Sequence, residues 1–124
     1  HQEIKVSDLI NKGIKKGDRI LFKTGNFRLL QSSTFPKKYI SLSLAAAEYL
    51  AEIGVALVGI DFLSIEKKAN PGHPVHKVLL SYGIVNVEGL NLEKVPAGEY
   101  TMFCLPMNVI DVDAAPARVI LMNE

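Results

Sequence analysis

HPVHKVLLSYGIVNVEGL, residues 73–90, is the stretch whose reading decides the fold. Pro74 suits the first turn of a helix, where its missing N–H is not needed. Val75, Val78, Leu79 and Tyr82 then recur at helical spacing. Gly83 is placed to stop that helix in a left-handed conformation. Ile84, Val85 and Val87 follow as a buried strand, and Glu88 closes it. A helix, a tight turn and a strand fold His76 and Glu88, twelve positions apart, back toward each other. An imidazole and a carboxylate converging in this way suit a divalent metal. The plainer alternative is a helix N-terminal histidine and a solvated glutamate. Spacing alone favours that alternative, because a single His/Glu pair is a weak signal beside a true ligand cluster.

Upstream, Asn70-Pro71-Gly72 signals a turn, and Glu66-Lys67-Lys68 reads as solvated surface. Val55–Ile60 is a continuous apolar run of the kind buried on both faces of a sheet. Asp61 stands where that run ends, the position at which α/β proteins place functional groups. It reads either as a hydrogen-bond partner for a ligand histidine or as a turn carboxylate. The preceding helix starts at Ser41 or Ser43, turns Leu44, Ala47, Leu50 and Ala51 to one face, and ends at Gly54. A helix feeding such a strand is an α/β signature. Farther back, Arg19–Thr24 reads as a largely buried strand, Thr24-Gly25 as its turn, and SDLINKG as a short helix capped by Ser7 after the strand IKV. Residues 26–40 have no clear period and read as a long loop, either a mobile surface loop or a binding loop or lid. Phe27, Phe35 and Tyr39 are its candidate contacts for an aromatic substrate.

Downstream of the central stretch, residues 91–95 read as a connection with a helical turn. Strands are expected at Glu99–Leu105, Met107–Val112 and Pro116–Met122, with Cys104 a buried thiol. The expected architecture is one α/β domain over residues 1–124, with a mixed sheet, two or three helices and a second, smaller sheet. A chain of 124 residues that is 48% hydrophobic has ample material for a core. Its net charge of +1, with basic residues scattered, gives no electrostatic case for nucleic acid or a membrane surface. One cysteine excludes an intrachain disulfide, and no apolar run reaches the length of a membrane span. A reducing cytoplasm is the expected compartment.

Five pieces carry a resemblance: GDRILFKTG (Gly17–Gly25), SLAAAEYLAEIGV (Ser43–Val55), VGIDFLSIE (Val58–Glu66), the central stretch, and CLP with the later DAAPAR (Cys104–Pro106, Asp113–Arg118). In this order they resemble the C-terminal part of the metal-dependent cyclase family of hydrolases, which includes bacterial-type kynurenine formamidases. The resemblance implies a layered β/β/α, swivelling-domain-like arrangement and hydrolysis of an amide bond in a small molecule. It implies that His76 and Glu88 are metal ligands, with zinc the expected ion and manganese the alternative. It places Asp61, Ser64, His73 and Thr24 around the pocket, although the usual final aspartate of the GID-x-x-S segment is Glu66 here. It also implies a homo-oligomer. The family's N-terminal motif H-x-G-T-H-x-D-x-P-x-H has no match, since the histidines are His1, His73 and His76. The chain is therefore expected to be part of a longer protein, with the remaining ligands and the acid–base histidine elsewhere and no catalytic residue within these 124 positions. The alternative is a noncatalytic domain of the same fold that binds a small molecule or assembles with partners.

Overall fold

The computed structural model describes residues 3–31 and 33–123; His1, and Ser32 within the 26–40 loop, lie outside them. In chain order the elements are β1 (Glu3–Ile4), α1 (Val6–Leu9), β2 (Arg19–Phe22), a 3-10 helix (Asn26–Gln31), β3 (Ser41–Leu42), α2 (Leu44–Ile53), β4 (Leu57–Ile60), α3 (Pro74–Ser81), β5 (Val85–Val87), β6 (Thr101–Pro106) and β7 (Ala117–Met122). Helices and parallel strands alternate as the α/β reading expects, and an antiparallel pair is added at the end. The elements fall into two compact units, His1–Lys94 and Val95–Glu124.

In the first unit β4 is the central strand of a parallel three-stranded sheet, with β2 and β5 on either side. All four residues of β4 are buried, as a continuous apolar run requires. α2 begins at Ser43, whose hydroxyl accepts the Ala46 N–H at 3.2 Å, and ends at Gly54 in the left-handed conformation. Its Ala46, Ala47, Leu50 and Ala51 pack with Val58, Ile60, Phe62, Val75, Leu79 and Ile84 in one core. Alanine is small enough to bring α2 close to its neighbours, and β1 pairs with β3 in a separate parallel ladder beside it.

Several local expectations change for identifiable reasons. β2 and β5 are edge strands, so Arg19 is exposed and the rest of β2 is half-buried. For the same reason Val85 is exposed, while Ile84, just before β5, is buried. Leu44 is exposed, because the inward face of α2 runs through Ala46 instead. Ser7 lies inside α1; the cap is Lys5, whose N–H donates to the Asp8 carboxylate at 2.8 Å. Residues 26–31 form a helical turn rather than an irregular loop, because buried Asn26 closes onto Ile40: its amide donates to the Ile40 carbonyl at 2.7 Å and its Oδ1 accepts the Ile40 N–H at 3.0 Å.

The second unit is the β6–β7 antiparallel hairpin, in register from Thr101↔Met122 to Pro106↔Ala117. Residues 107–112 form no strand; they belong to the connection, where Asp111 takes φ 58°. Residues 91–95 form a connection with a turn at Glu93–Lys94. Cys104 is half-buried opposite Val119, not a core thiol, because a two-stranded sheet shields each residue on few sides.

Candidate metal centre

The site is built on the first turn of α3. A helix N-terminus presents N–H groups without helical acceptors and a partial positive charge. Here His73 occupies the cap position in a left-handed conformation (φ 52°, ψ 57°), and its side chain caps nothing. The carboxylate of Glu66 does that work from a distance. Its Oε1 accepts the Val75 N–H at 3.0 Å and the Asn70 amide at 3.2 Å. Its Oε2 meets His76 Nδ1 at 2.7 Å and accepts the His76 N–H at 3.4 Å. Its side chain is 1% exposed.

Burial works to raise the Glu66 pKa, but the hydrogen bonds from the His76 ring, the Val75 N–H, Asn70 and the His76 N–H outweigh it and hold the carboxyl below its ordinary range. An ionised Glu66 accepts the proton on His76 Nδ1 and so turns Nε2 toward Glu88, whose Oε1 lies 3.1 Å away. That same oxygen accepts the Ile65 N–H at 2.8 Å and the Asn86 amide at 3.0 Å. The three partners of the Glu88 carboxylate among the described residues all meet Oε1, which leaves Oε2 for a further ligand. Burial tends to lower the His76 pKa, yet the two flanking carboxylates prevail and raise it.

The structure therefore brings His76 and Glu88 together, 3.1 Å apart, across the helix–glycine–strand turn. Glu66 is not solvated surface but the buried anchor of that pair. Lys67 and Lys68 concealed it in the sequence; the legible signal was a carboxylate shortly before a Pro-started helix lacking a polar cap. Asp61 is fully buried, and among the described residues no hydrogen bond joins it to a histidine. It accepts the N–H of Thr24 at 3.0 Å, the Thr24 hydroxyl, and the N–H of Gly25 at 2.8 Å, and so fixes the turn after β2. These are contacts a turn carboxylate makes, with Thr24 and Gly25 as its partners. Ser64 serves Glu66: its hydroxyl donates to the Glu66 carbonyl at 2.8 Å and accepts the Glu66 N–H at 3.2 Å. The His73 side chain is 67% exposed, with Nδ1 3.7 Å from Glu66 Oε2.

Two donor sets for a cation share His76. Glu66, His73 and His76 offer ligand atoms within 4.8 Å of one another. In that set Glu66 Oε2 and His76 Nδ1 already hold each other at 2.7 Å, as His76 Nε2 and Glu88 Oε1 do at 3.1 Å. The other set is His76 Nε2 with Glu88. It leaves the Glu66–His76 bond intact, in the carboxylate–histidine arrangement that fixes a metal-binding imidazole. The nitrogen and oxygen donors of the second set fit a divalent ion, and two ligands supply part of a coordination shell.

A family model described as "Putative cyclase" matches residues 2–67. The chain belongs to the cyclase family. Within it, the chain is 38% identical over 104 residues to a kynurenine formamidase of Salinibacter ruber, covering 84% of this chain and 49% of that one. It is 33% identical over 124 residues to cyclase-like protein 3 of Arabidopsis thaliana, covering 98% and 45%. A solved structure, described as that of a potential metal-dependent hydrolase with cyclase activity, superposes with a TM-score of 0.88 at 42% identity, over 98% of this chain and 58% of that one. The chain spans about half the length of the curated relatives it matches. No helix among the described residues is long and apolar enough to cross a membrane.

Proposed function

We propose that the protein to which this chain belongs is a metal-dependent hydrolase of an amide bond, of the kynurenine formamidase type, and that His76 Nε2 and Glu88 are two of its metal ligands. The observation that carries this reading is the bracketing of one imidazole by two carboxylates, Glu66 at 2.7 Å and Glu88 at 3.1 Å. The similarity to kynurenine formamidases and to a metal-dependent hydrolase supports it. A divalent ion held there supplies Lewis acidity toward the amide carbonyl and a water nucleophile near neutral pH.

The chain's own residues set up that chemistry. Glu66 keeps the proton of His76 on Nδ1 and the lone pair on Nε2. Ile65 and Asn86 hold Glu88 Oε1 in place, Asn70 holds the Glu66 carboxylate, and Ser64 holds the Glu66 backbone. The remaining ligands and the acid–base group are proposed to lie outside these residues. Zinc is the ion we propose, since mixed imidazole and carboxylate donors suit it, with manganese next. A cytoplasmic homo-oligomer completes the proposal. Metal content of purified His76→Ala, Glu88→Ala and His73→Ala variants tests it. The first two are expected to lose the ion and the third to keep it; equal losses for His73→Ala and His76→Ala would move the site to the Glu66–His73–His76 set.

A further inference from the structure

Beside the metal face, a cavity of about 540 Å³ opens between residues 35–39 and 67–69. Its lining includes Lys37, Lys38, Lys67 and Lys68 together with Phe35 and Tyr39. Four ammonium groups around one cavity repel each other and attract anions. Among the described residues, Lys67 alone of the four is neutralised by a carboxylate, that of Glu3. Lys68 Nζ lies 5.1 Å over the ring of Phe35, a contact that leaves its charge uncompensated. Among the described residues, Lys37 and Lys38 form no ion pair. The chain as a whole is nearly neutral at +1, so this concentration of positive charge is local.

The apolar wall is equally definite. Phe35 packs edge-on against Tyr39 and Phe62, with centroids 5.6 and 5.7 Å away, yet is still 41% exposed. Such a ring offers a stacking surface whose orientation is already fixed. The volume falls in the range of sites that hold one small molecule, roughly 300–1,000 Å³. The cavity also shares a wall with the metal face. The Tyr39 hydroxyl donates to the Glu66 carbonyl at 2.7 Å and accepts the Lys68 N–H at 2.6 Å, while the Glu66 carboxylate grips His76.

We propose that this cavity binds the aromatic carboxylate end of the substrate, with Lys37 and Lys38 meeting the carboxylate and Phe35 the ring. As a statement about substrate it rests on the hydrolase reading; as a binding site it does not. Carboxylate is favoured over a polyanion because the feature is one half-open pocket with an aromatic wall, not a basic stripe.

The test is a titration of the full, metal-free chain with benzoate, followed by amide chemical shifts. Benzoate is expected to move the resonances of residues 35–39 and 67–69. Lys37→Ala/Lys38→Ala, at two exposed positions, is expected to weaken it about tenfold, from two partly solvated charge contacts. Acetate, lacking the ring, is expected to bind about tenfold more weakly than benzoate. The control pair Lys12→Ala/Lys15→Ala is expected to bind benzoate unchanged. The proposal is overturned if benzoate shifts nothing in these residues, if inorganic phosphate binds as tightly as benzoate, if acetate matches benzoate, or if the control pair loses as much as the Lys37/Lys38 pair. None of these outcomes bears on metal content, so the failure of the cavity and the failure of the metal site are read separately.

Discussion

Glu66→Gln keeps the volume of the side chain and removes its charge. The amide still reaches the Val75 N–H, but it no longer holds the proton of His76 on Nδ1 with an ionised acceptor. Loss of such an outer partner typically weakens metal binding about 10–100-fold. Removing a charged acceptor from a buried network also lowers stability by about 1.5–3 kcal/mol. Glu66→Gln is therefore expected to show both losses, in metal affinity and in chemical denaturation, whereas Glu88→Gln, at a carboxylate 28% exposed, loses affinity with little change in stability. Equal stability losses would show that Glu66 anchors nothing beyond what Glu88 does. At this scale the sequence was legible where geometry is local. Pro74, Gly83 and the intervening apolar positions mark the helix, turn and strand that fold His76 and Glu88 back toward each other. It was opaque at Glu66 and Asp61, because burial of a carboxylate is decided by donors brought from elsewhere: the α3 N-terminus for one, Thr24 and Gly25 for the other.

Among the elements, β4 was the most legible and its neighbours the least. A run that is apolar at every position reads as central, and Leu57–Ile60 is buried throughout. Whether β2 and β5 lie at an edge depends on strand order, which no local pattern encodes. Gly59 shows what the central position demands. A Cβ at that residue would stand 2.6 Å from Leu21 Cδ2 and 2.8 Å from Leu90 Cδ1. Both leucines would have to shift within a packed interior, and overpacking of this kind costs about 1–3 kcal/mol. Gly59→Ala is expected to lower the midpoint of urea denaturation accordingly while leaving the benzoate response of residues 35–39 in place. An unchanged midpoint would mean that Leu21, on the half-buried edge strand, moves aside freely.

For the whole molecule, the parallel first unit and the antiparallel hairpin differ in how well they cover themselves. The hairpin leaves Phe103, Leu105, Ile120 and Met122 exposed on alternate positions of paired strands. A contiguous apolar face of this kind promotes association in water. The purified 124-residue chain is expected to self-associate in light scattering, and Phe103→Ser/Ile120→Ser to reduce that association. A monodisperse 13.6 kDa monomer would count against it. The alternation of helix and parallel strand made the fold class readable from sequence. The division into two units was not readable, because no linker composition marks Lys94–Val95.

The central place of β4 also sets an order of events during synthesis. Its ladders join Arg19 to Leu57 and Leu57 to Val85, so one partner strand is made well before it and the other well after. As the chain emerges from the ribosome, Leu57–Ile60 can pair with β2 but stays bare on its other edge until α3 and β5 have followed. During that interval this fully buried, apolar strand is an open template for another nascent chain, and a pause in translation between residues 60 and 85 would prolong that exposure.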